Sequence, residues 1–269
     1  MTKRTLLYAA LAVGAFLSVF PYLLVVLTAF KTRTQLNSTP PWLPAMPPTT
    51  ANLAELLGGD FPHYIANTLL MTAALTAGQL VFTTFAAYAF ARLRFRGREG
   101  LFWLYVATMM VPGAVTVIPL FLIMRQLGLV NTWWGLLLPY LLGTPYGIFL
   151  MRQFFRGLPA SLEEAARIDG AGPLKILLRI LLPLSRPALG TLAIITVISS
   201  WNNFLWPLII TSGDDTKVIT VAIAGLKGGI GVDYNLMMAG GLIALVPMVA
   251  IFVFFQRYII RSVVLTGLK

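Results

Sequence analysis

Three acidic residues lie close together in the second half of the chain, at Glu163, Glu164 and Asp169. Grouped carboxylates can act as a general acid and base when a second catalytic group stands nearby. Basic residues surround this group instead, and the sequence offers no catalytic partner for it. We therefore predict that the chain has no catalytic residue and is not an enzyme.

The composition also limits metal, thiol and nucleotide chemistry. The chain has no cysteine, which excludes thiolate nucleophiles and cysteine-ligated metal sites, and its single histidine is His63. The sequence lacks the G-x-x-x-x-G-K-[ST] loop that cradles the phosphates of ATP. We predict that this chain has no metal site and no cofactor of its own.

The hydropathy of the chain is that of a membrane protein. Hydrophobic residues make up 58% of its 269 residues and charged residues only 11%, whereas soluble domains carry about 25% charged residues. A bilayer span needs about 20 apolar residues, and six such runs occur, with no charge in their interiors. Their limits are Thr5–Phe30, Ala66–Ala91, Leu101–Met124, Trp133–Met151, Pro187–Thr211 and Leu236–Ile260. We predict an all-α, polytopic protein with six transmembrane helices in a single domain, residues 1–269. Prolines within the runs, among them Pro112 and Pro207, are expected to kink the helices.

The distribution of charge predicts how the spans are oriented. With the N-terminus in the cytoplasm, 15 of the 20 Lys and Arg residues fall on the cytoplasmic side, as the positive-inside rule requires. The net charge of +11 then faces anionic lipid headgroups, so we expect membrane lipid and no nucleic acid as a partner. Both termini are predicted to be cytoplasmic.

Two outer connections have distinct compositions. Residues 32–65 are rich in proline, which favours an extended chain, and contain a short amphipathic stretch at Asn52–Leu57. Residues 212–235 are rich in glycine, which permits an extended finger.

The energy source of transport is constrained by what the spans lack. Ion-coupled carriers usually place a charged side chain inside the membrane, and none of the six runs has one in its interior. Sodium can also be held by backbone carbonyls alone, so a stand-alone secondary sugar carrier or facilitator stays open as an alternative. Six spans with no coupling charge and no nucleotide site indicate one part of a larger transport complex.

The connection 157–186, on the predicted cytoplasmic face, has the pattern of a helix, a sharp turn and a second helix. Ser161 and Glu164 have the spacing of a capping box. Gly170 can adopt a positive φ and end the first helix, and Pro173 suits the first position of the next. These features alone also fit an ordinary amphipathic hairpin at the membrane interface.

The residues of this connection resemble the EAA loop of permease subunits in bacterial ATP-binding-cassette importers. The resemblance rests on the run E-A-A-R-I-D-G-A at 164–171, with Ile180, Leu182 and Pro183 downstream. Other stretches resemble the carbohydrate branch of that family, at residues 88–98, 111–120, 127–132 and 201–208. Asn203 departs from the pattern, because many relatives have an acid at this position.

The resemblance implies the type I importer permease fold, similar to the second maltose-type permease subunit, with the EAA loop as a cytoplasmic coupling helix. The function it implies is that of the transmembrane subunit of an ATP-driven carbohydrate importer in the bacterial cytoplasmic membrane. This subunit would form half of the translocation path. The implied partners are a sibling permease subunit, two cytoplasmic ATPase subunits that bind ATP and Mg, an extracytoplasmic solute-binding protein and a carbohydrate solute.

Two groups of site residues follow from the resemblance. The residues expected to couple to the ATPase are Glu163, Glu164, Ala165, Ala166, Asp169, Gly170 and Ala171. Glu164 would accept a hydrogen bond from a basic group of the ATPase; a purely capping role stays open for it. The residues expected along the solute path are Tyr140, Tyr146, Trp201, Asn202, Asn203 and Trp206. Aromatic rings can stack on sugars and amides can bond hydroxyls, although Trp also anchors helices at membrane interfaces and Asn bonds between helices.

Overall fold

The computed structural model describes residues 3–228 and 231–266, which are almost entirely helical. Its α-helices are α1 Lys3–Ala29, α2 Arg33–Ser38, α3 Ala51–Gly58, α4 Phe61–Arg92, α5 Arg98–Ala107, α6 Gly113–Gln126, α7 Trp133–Leu141, α8 Pro145–Gly157, α9 Ser161–Ile168, α10 Pro173–Ile176, α11 Leu182–Leu184, α12 Arg186–Trp201, α13 Leu205–Ile210, α14 Ile219–Ala224 and α15 Tyr234–Thr266. A 3₁₀ turn, Thr108–Met110, follows α5, and a π-helical turn, Leu177–Leu181, joins α10 to α11. Two antiparallel strands of two residues each, β1 Lys227–Gly228 and β2 Gly231–Val232, complete the described elements. The predicted all-α class is confirmed.

Four helical stretches in the described residues are long and apolar enough to cross a membrane. They are Lys3–Ala29, Phe61–Arg92, Trp133–Gly157 and Tyr234–Phe254. Two further pairs of helices are strongly bent: Arg98–Met110 with Gly113–Gln126, at 105°, and Pro173–Leu184 with Arg186–Trp201, at 79°. If each bent pair is one span, the number of spans is six, as the sequence predicts.

The third predicted span is broken rather than gently kinked. Val111 leaves the helix with φ −84° and ψ 117°, and α6 begins directly after Pro112. The ring of a proline disfavours helical torsions in the residue before it, and its nitrogen has no hydrogen to donate. The expectation of a bend at Pro112 is therefore confirmed, and a single continuous helix over Leu101–Met124 is wrong.

The fifth predicted span, Pro187–Thr211, is also wrong as one helix. Helix α12 ends at Trp201 and the chain becomes helical again only at Leu205. The amide of Asn202 donates to the carbonyl oxygen of Ile198 at 2.8 Å, which satisfies a helix-terminal carbonyl from the side chain. Pro207 then occupies the first turn of α13, where its missing N–H has no cost.

The helices group into two compact units, residues 3–66 with 218–250 and residues 67–217 with 251–266. The single-domain assignment over residues 1–269 stays a prediction.

In the first unit, the proline-rich connection is not simply extended, because it contains α2 and α3. Asn52 donates to the carbonyl oxygens of Ala29 and Lys31, both at 2.9 Å, and Arg33 pairs with Asp233.

The glycine-rich connection also has more structure than an extended finger. It contains the short helix α14 and the two small strands. Asn235, just beyond them, donates to the carbonyl oxygen of Lys31 at 2.6 Å. The first unit thus joins residues from both predicted outer connections.

The core of the second unit lies beside the EAA-like connection. Its fully buried side chains include Phe102, Met151, Phe155, Ile176 and Leu181. Ala166 of α9 belongs to the same core, and Ala171 packs against it. The short helix α9 is therefore attached to the body of this unit by direct packing.

Candidate functional site

Helix α9 begins without the capping box that the sequence predicts. Ala160 already has helical torsions, φ −66° and ψ −29°, so Ser161 is the first helical residue and its hydroxyl does not cap the helix. The backbone N–H groups of Glu163 and Glu164 bond instead to the carbonyl oxygen of Ala160, at 2.9 and 3.1 Å. The capping-box prediction is wrong because the turn starts one residue earlier than the pattern implies.

The C-terminus of α9 follows the prediction. Gly170 has φ +77°, the left-handed conformation that glycine adopts without strain. Its N–H bonds to the carbonyl oxygen of Arg167 at 3.0 Å, and the N–H of Ala171 bonds to that of Ala166 at 2.8 Å. This pair of bonds is a Schellman motif. Pro173 then opens α10 at its first position, as predicted.

The inner face of α9 carries Glu163 and Ala166, which are 4% and 7% exposed. One carboxylate oxygen of Glu163 lies 2.8 Å from Nε of Arg92, and the other lies 3.5 Å from Nη2 of Arg167. The Arg92 contact is an ion pair without an aligned hydrogen bond. The structure therefore places Glu163 inside the chain, away from the surface on which the sequence predicts an ATPase contact.

The outer face of α9 carries the other predicted coupling residues. Glu164, Ala165, Asp169 and Gly170 are all exposed, and Ala171 is half-buried. Ile168 is 87% exposed, which is unusual for so large an apolar side chain outside the predicted spans. This exposed surface, Glu164, Ala165, Ile168, Asp169 and Gly170, is called the α9 outer face below.

Arg92 connects α9 to two other helices, α4 and α8. It is the last residue of α4, and its Nη2 donates to the carbonyl oxygens of Phe155 and Leu158 at 2.5 and 2.6 Å. These carbonyls lie at the end of α8, where a cation is favoured by the helix dipole. The ends of α4 and α8 and the inner face of α9 thus meet at one guanidinium group.

A second buried arginine holds the neighbouring helices together. Arg152 on α8 is 1% exposed, and its Nη2 contacts both carboxylate oxygens of Glu99 at 2.7 Å. Its Nε donates to the carbonyl oxygen of Phe90 at 3.1 Å, and the guanidinium lies 3.7 Å from the ring centre of Phe102. In the sequence, Arg92 and Arg152 are indistinguishable from the other basic residues that follow apolar runs, so these contacts were not predicted.

A cavity of about 520 Å³ lies in the second unit. Three of the predicted solute-path residues line it, namely Tyr140, Tyr146 and Asn203. The sequence analysis missed the other polar side chains of its lining, which are Gln79, Thr144, Thr196, Ser199 and Ser200. They could have been found as polar residues within or beside apolar runs, where they are costly without a partner.

The other three predicted solute-path residues are placed elsewhere. Asn202 is exposed and bonds to its own helix. Trp201 and Trp206 are each 2% exposed and do not line the cavity. The indole N–H of Trp206 donates to the carbonyl oxygen of Gly135 at 3.2 Å, and its ring meets that of Tyr140 edge to face. Trp206 therefore packs against the cavity residue Tyr140 without lining the cavity itself.

Gln79 connects three helices around the cavity. Its Nε2 donates to the carbonyl oxygen of Tyr140 on α7 at 3.0 Å, and its Oε1 accepts from the hydroxyl of Thr196 on α12 at 3.2 Å. The side chain is 6% exposed, so both bonds form where contact with water is limited. Gln79 and Arg92 lie on the same helix, α4.

Among the described residues, no three His, Cys, Asp or Glu side chains come together in a way that could hold a metal ion.

A comparison with known families decides between the possible transport systems. Residues 79–265 match the family described as the binding-protein-dependent transport system inner membrane component. The chain belongs to this family. It is a membrane-spanning, multi-pass permease subunit of a binding-protein-dependent importer, which confirms the family that the EAA-like residues predict.

Curated relatives match the permease over nearly its whole length. It is 35% identical to the arabinooligosaccharides transport system permease protein AraQ of Halalkalibacterium halodurans, over 98% of this chain and 96% of that protein. It is 34% identical to the sn-glycerol-3-phosphate transport system permease protein UgpE of Yersinia enterocolitica, over 96% and 94% of the two chains.

Solved structures match the fold of the permease. A crystal structure of a bacterial ABC transporter involved in the import of the acidic polysaccharide alginate superposes with a TM-score of 0.84, at 24% identity over 96% of this chain and 98% of that one. A second structure, of a bacterial alginate ABC transporter in complex with a periplasmic protein carrying an alginate pentasaccharide, gives a TM-score of 0.70 at 16% identity, over 95% and 94%. The predicted importer permease fold is confirmed.

Proposed function

We propose that this permease is the transmembrane subunit of an ATP-driven carbohydrate importer and forms half of the translocation path beside a sibling permease subunit. The observation that carries the proposal is helix α9, which exposes one face while its other face is bonded to the ends of α4 and α8. A docked motor protein could move those helices only through such an attachment. The names of the relatives support a sugar or sugar-related solute.

The α9 outer face is the proposed docking surface for a cytoplasmic ATPase. Glu164 supplies a carboxylate for a basic group of the partner, and Ala165 leaves room for close approach. Ile168 adds exposed apolar area of the kind that marks protein interfaces. Asp169 and Gly170 form the turn that presents this surface.

Glu163, Ala166 and Ala171 take a different part in coupling. They hold α9 against its own subunit through the Arg92 ion pair and the buried core. They are positioning residues that transmit the movement of α9 inward, by rigid-body displacement of packed helices.

The path from the docking surface to the cavity runs along α4. Arg92 and Gln79 are separated by 13 positions of this helix, or about 20 Å at 1.5 Å per residue. Displacement of the Arg92 end by α9 therefore also displaces Gln79, which is bonded to α7 and α12 at the cavity. This arrangement supports a single mechanical unit that joins ATPase docking to opening of the cavity.

The remaining parts of the complex follow from this proposal. Two ATPase subunits bind ATP and Mg in the cytoplasm, so the permease needs no cofactor and catalyses no reaction itself. A solute-binding protein delivers the carbohydrate on the opposite side of the bacterial cytoplasmic membrane, and both termini of the permease are cytoplasmic. The family's own description, which is binding-protein-dependent, supports this division of labour.

The test is uptake of radiolabelled arabinotriose into proteoliposomes that contain the permease, its sibling, the ATPase and the binding protein. Uptake should require ATP. Gly170→Trp should abolish it, because the new side chain projects from a position with no neighbour within 4 Å into the docking interface. Gly128→Trp is the matched control and should retain uptake, because Gly128 also ends a helix at a positive φ, +69°, with open space around it.

Two results would contradict the proposal. Full ATP-driven uptake by Gly170→Trp would remove the docking role of α9. Uptake of arabinotriose by the permease alone, driven by an ion gradient without ATPase, would instead identify the stand-alone secondary carrier that the sequence left open.

A further inference from the structure

The lining of the cavity is polar but carries no charge. Its polar side chains are Gln79, Tyr140, Thr144, Tyr146, Thr196, Ser199, Ser200 and Asn203, and its apolar ones are Leu75, Leu192 and Ile195. Among these described residues, none is Asp, Glu, Lys, Arg or His. Two basic residues of this unit, Arg92 and Arg152, lie outside the lining and bond instead to carbonyls and to a carboxylate.

This chemistry discriminates between classes of solute. Hydroxyl and amide groups can both donate to and accept from the hydroxyls of a sugar or polyol. An anionic group would lose its hydration in the cavity and find no cation among the described lining residues to offset that loss. The apolar side chains of Leu75, Leu192 and Ile195 match the C–H faces of a sugar ring, which are uncharged.

We propose that this cavity takes an uncharged polyhydroxylated solute, a neutral saccharide or polyol, and rejects sugar phosphates and uronic acids. The inference rests on the proposed import function. It sets the permease apart from two of the proteins to which it is similar, one named for sn-glycerol-3-phosphate and one described as importing acidic alginate.

Ser199 is the position at which the inference can be tested most directly. It lies in the lining on the last turns of α12, whereas Gln79 is already committed to Tyr140 and Thr196. Ser199→Lys would place one positive charge in the lining without removing either bond of Gln79. Asn37→Lys, on the exposed surface of α2 and outside both the lining and the membrane-spanning helices, is the control for an added charge.

The experiment is saturation-transfer NMR on the purified complex of permease, sibling and ATPase, without the binding protein, so that the selectivity measured is that of the membrane path. The probes are two matched pairs, glycerol with sn-glycerol-3-phosphate and mannotriose with a mannuronate trisaccharide. The neutral member of each pair should give about tenfold stronger transfer than the anionic member. Ser199→Lys should raise the signal of the anionic members, and Asn37→Lys should not.

Each outcome has a distinct consequence. Equal or stronger binding of the anionic members by the unmodified complex would overturn the inference, as would unchanged selectivity in Ser199→Lys. Binding of none of the four probes by a complex that still imports arabinotriose with ATP would place solute recognition outside this cavity, which also overturns the inference but leaves the proposed function standing. Loss of ATP-driven import altogether would refute the proposed function instead.

Discussion

The carboxylate of Glu163 lies 2.8 Å from the guanidinium of Arg92, and both side chains are withdrawn from solvent, at 5% and 14% exposure. Glu163 is on the short helix α9, whereas Arg92 ends the long helix α4. The same guanidinium also binds two backbone carbonyls at the end of α8. The charge pair therefore connects the surface helix α9 specifically to the ends of two other helices, α4 and α8.

Breaking this pair is expected to destabilise the permease. Removal of one partner of a buried ion pair costs up to about 3–5 kcal/mol, and here Arg167, 3.5 Å from Glu163, offsets part of that cost. Arg92→Ala should cost more than Glu163→Gln, since it also frees the carbonyls of Phe155 and Leu158. Thermal unfolding of the detergent-solubilised complex, followed by intrinsic fluorescence, measures the difference.

A transmitting role for the pair has a further readout beyond stability. Glu163→Gln should lower the amount of solute moved per ATP hydrolysed, while ATP hydrolysis itself continues. Glu55→Gln, at an exposed glutamate of α3 away from the α9 outer face, is the control and should leave the transport ratio unchanged and the stability of the permease unchanged within about 0.5 kcal/mol. An unaltered transport ratio in Glu163→Gln would mean that the ion pair only holds the fold.

Two neighbouring alanines separate docking from packing. Ala166→Leu adds volume to a well-packed core and should destabilise the permease by about 1–3 kcal/mol. Ala165→Leu adds the same volume on the exposed side, so it should leave stability nearly unchanged and weaken co-purification with the ATPase. If both substitutions lowered stability equally and neither affected co-purification, the assignment of the α9 outer face would be wrong.

The long apolar helices could be predicted because a bilayer imposes a length of about 20 apolar residues on any helix that crosses it. The breaks could be predicted only in part. Pro112 indicates a bend, but its angle of 105° depends on how α5 and α6 pack. At Asn202 the helix ends through a side-chain bond that hydropathy does not detect.

The two parts of the candidate site differ in how well the sequence predicts them. The turn at Gly170 follows from local backbone chemistry, so it was predictable. The burial of Glu163 was not, because its partner Arg92 is 71 positions away and only tertiary packing brings them together. The cavity likewise joins residues from α4, α7 and α12, and Trp206 lies against Tyr140 rather than in the lining.

At Gly170, the need for a positive φ should affect the stability of the permease more than the volume of the side chain does. Gly170→Ala introduces a side chain into open space but forces an L-residue to keep φ +77°, which costs about 1–2 kcal/mol. Gly170→Asn should cost less, because asparagine visits this conformation more readily. Chemical unfolding of the two variants gives the order, and a larger cost for Asn than for Ala would contradict a backbone origin.

Gln79 should stabilise the cavity, because its side chain bonds to two other helices. Gln79→Leu removes the partner of the Tyr140 carbonyl and of the Thr196 hydroxyl in a buried site, and leaving such groups unpaired costs about 1–3 kcal/mol each. The variant should therefore unfold at lower temperature and import solute more slowly.

Thr196→Val is the informative companion to Gln79→Leu, because it removes the hydroxyl while keeping the shape of the side chain. In the double variant Gln79→Leu, Thr196→Val, the loss should be smaller than the sum of the two single losses, since the bond between the two side chains is counted twice in that sum. Simple additivity in thermal unfolding would show that Gln79 and Thr196 do not act together, and that the hydrogen bond between α4 and α12 does not hold the cavity in shape.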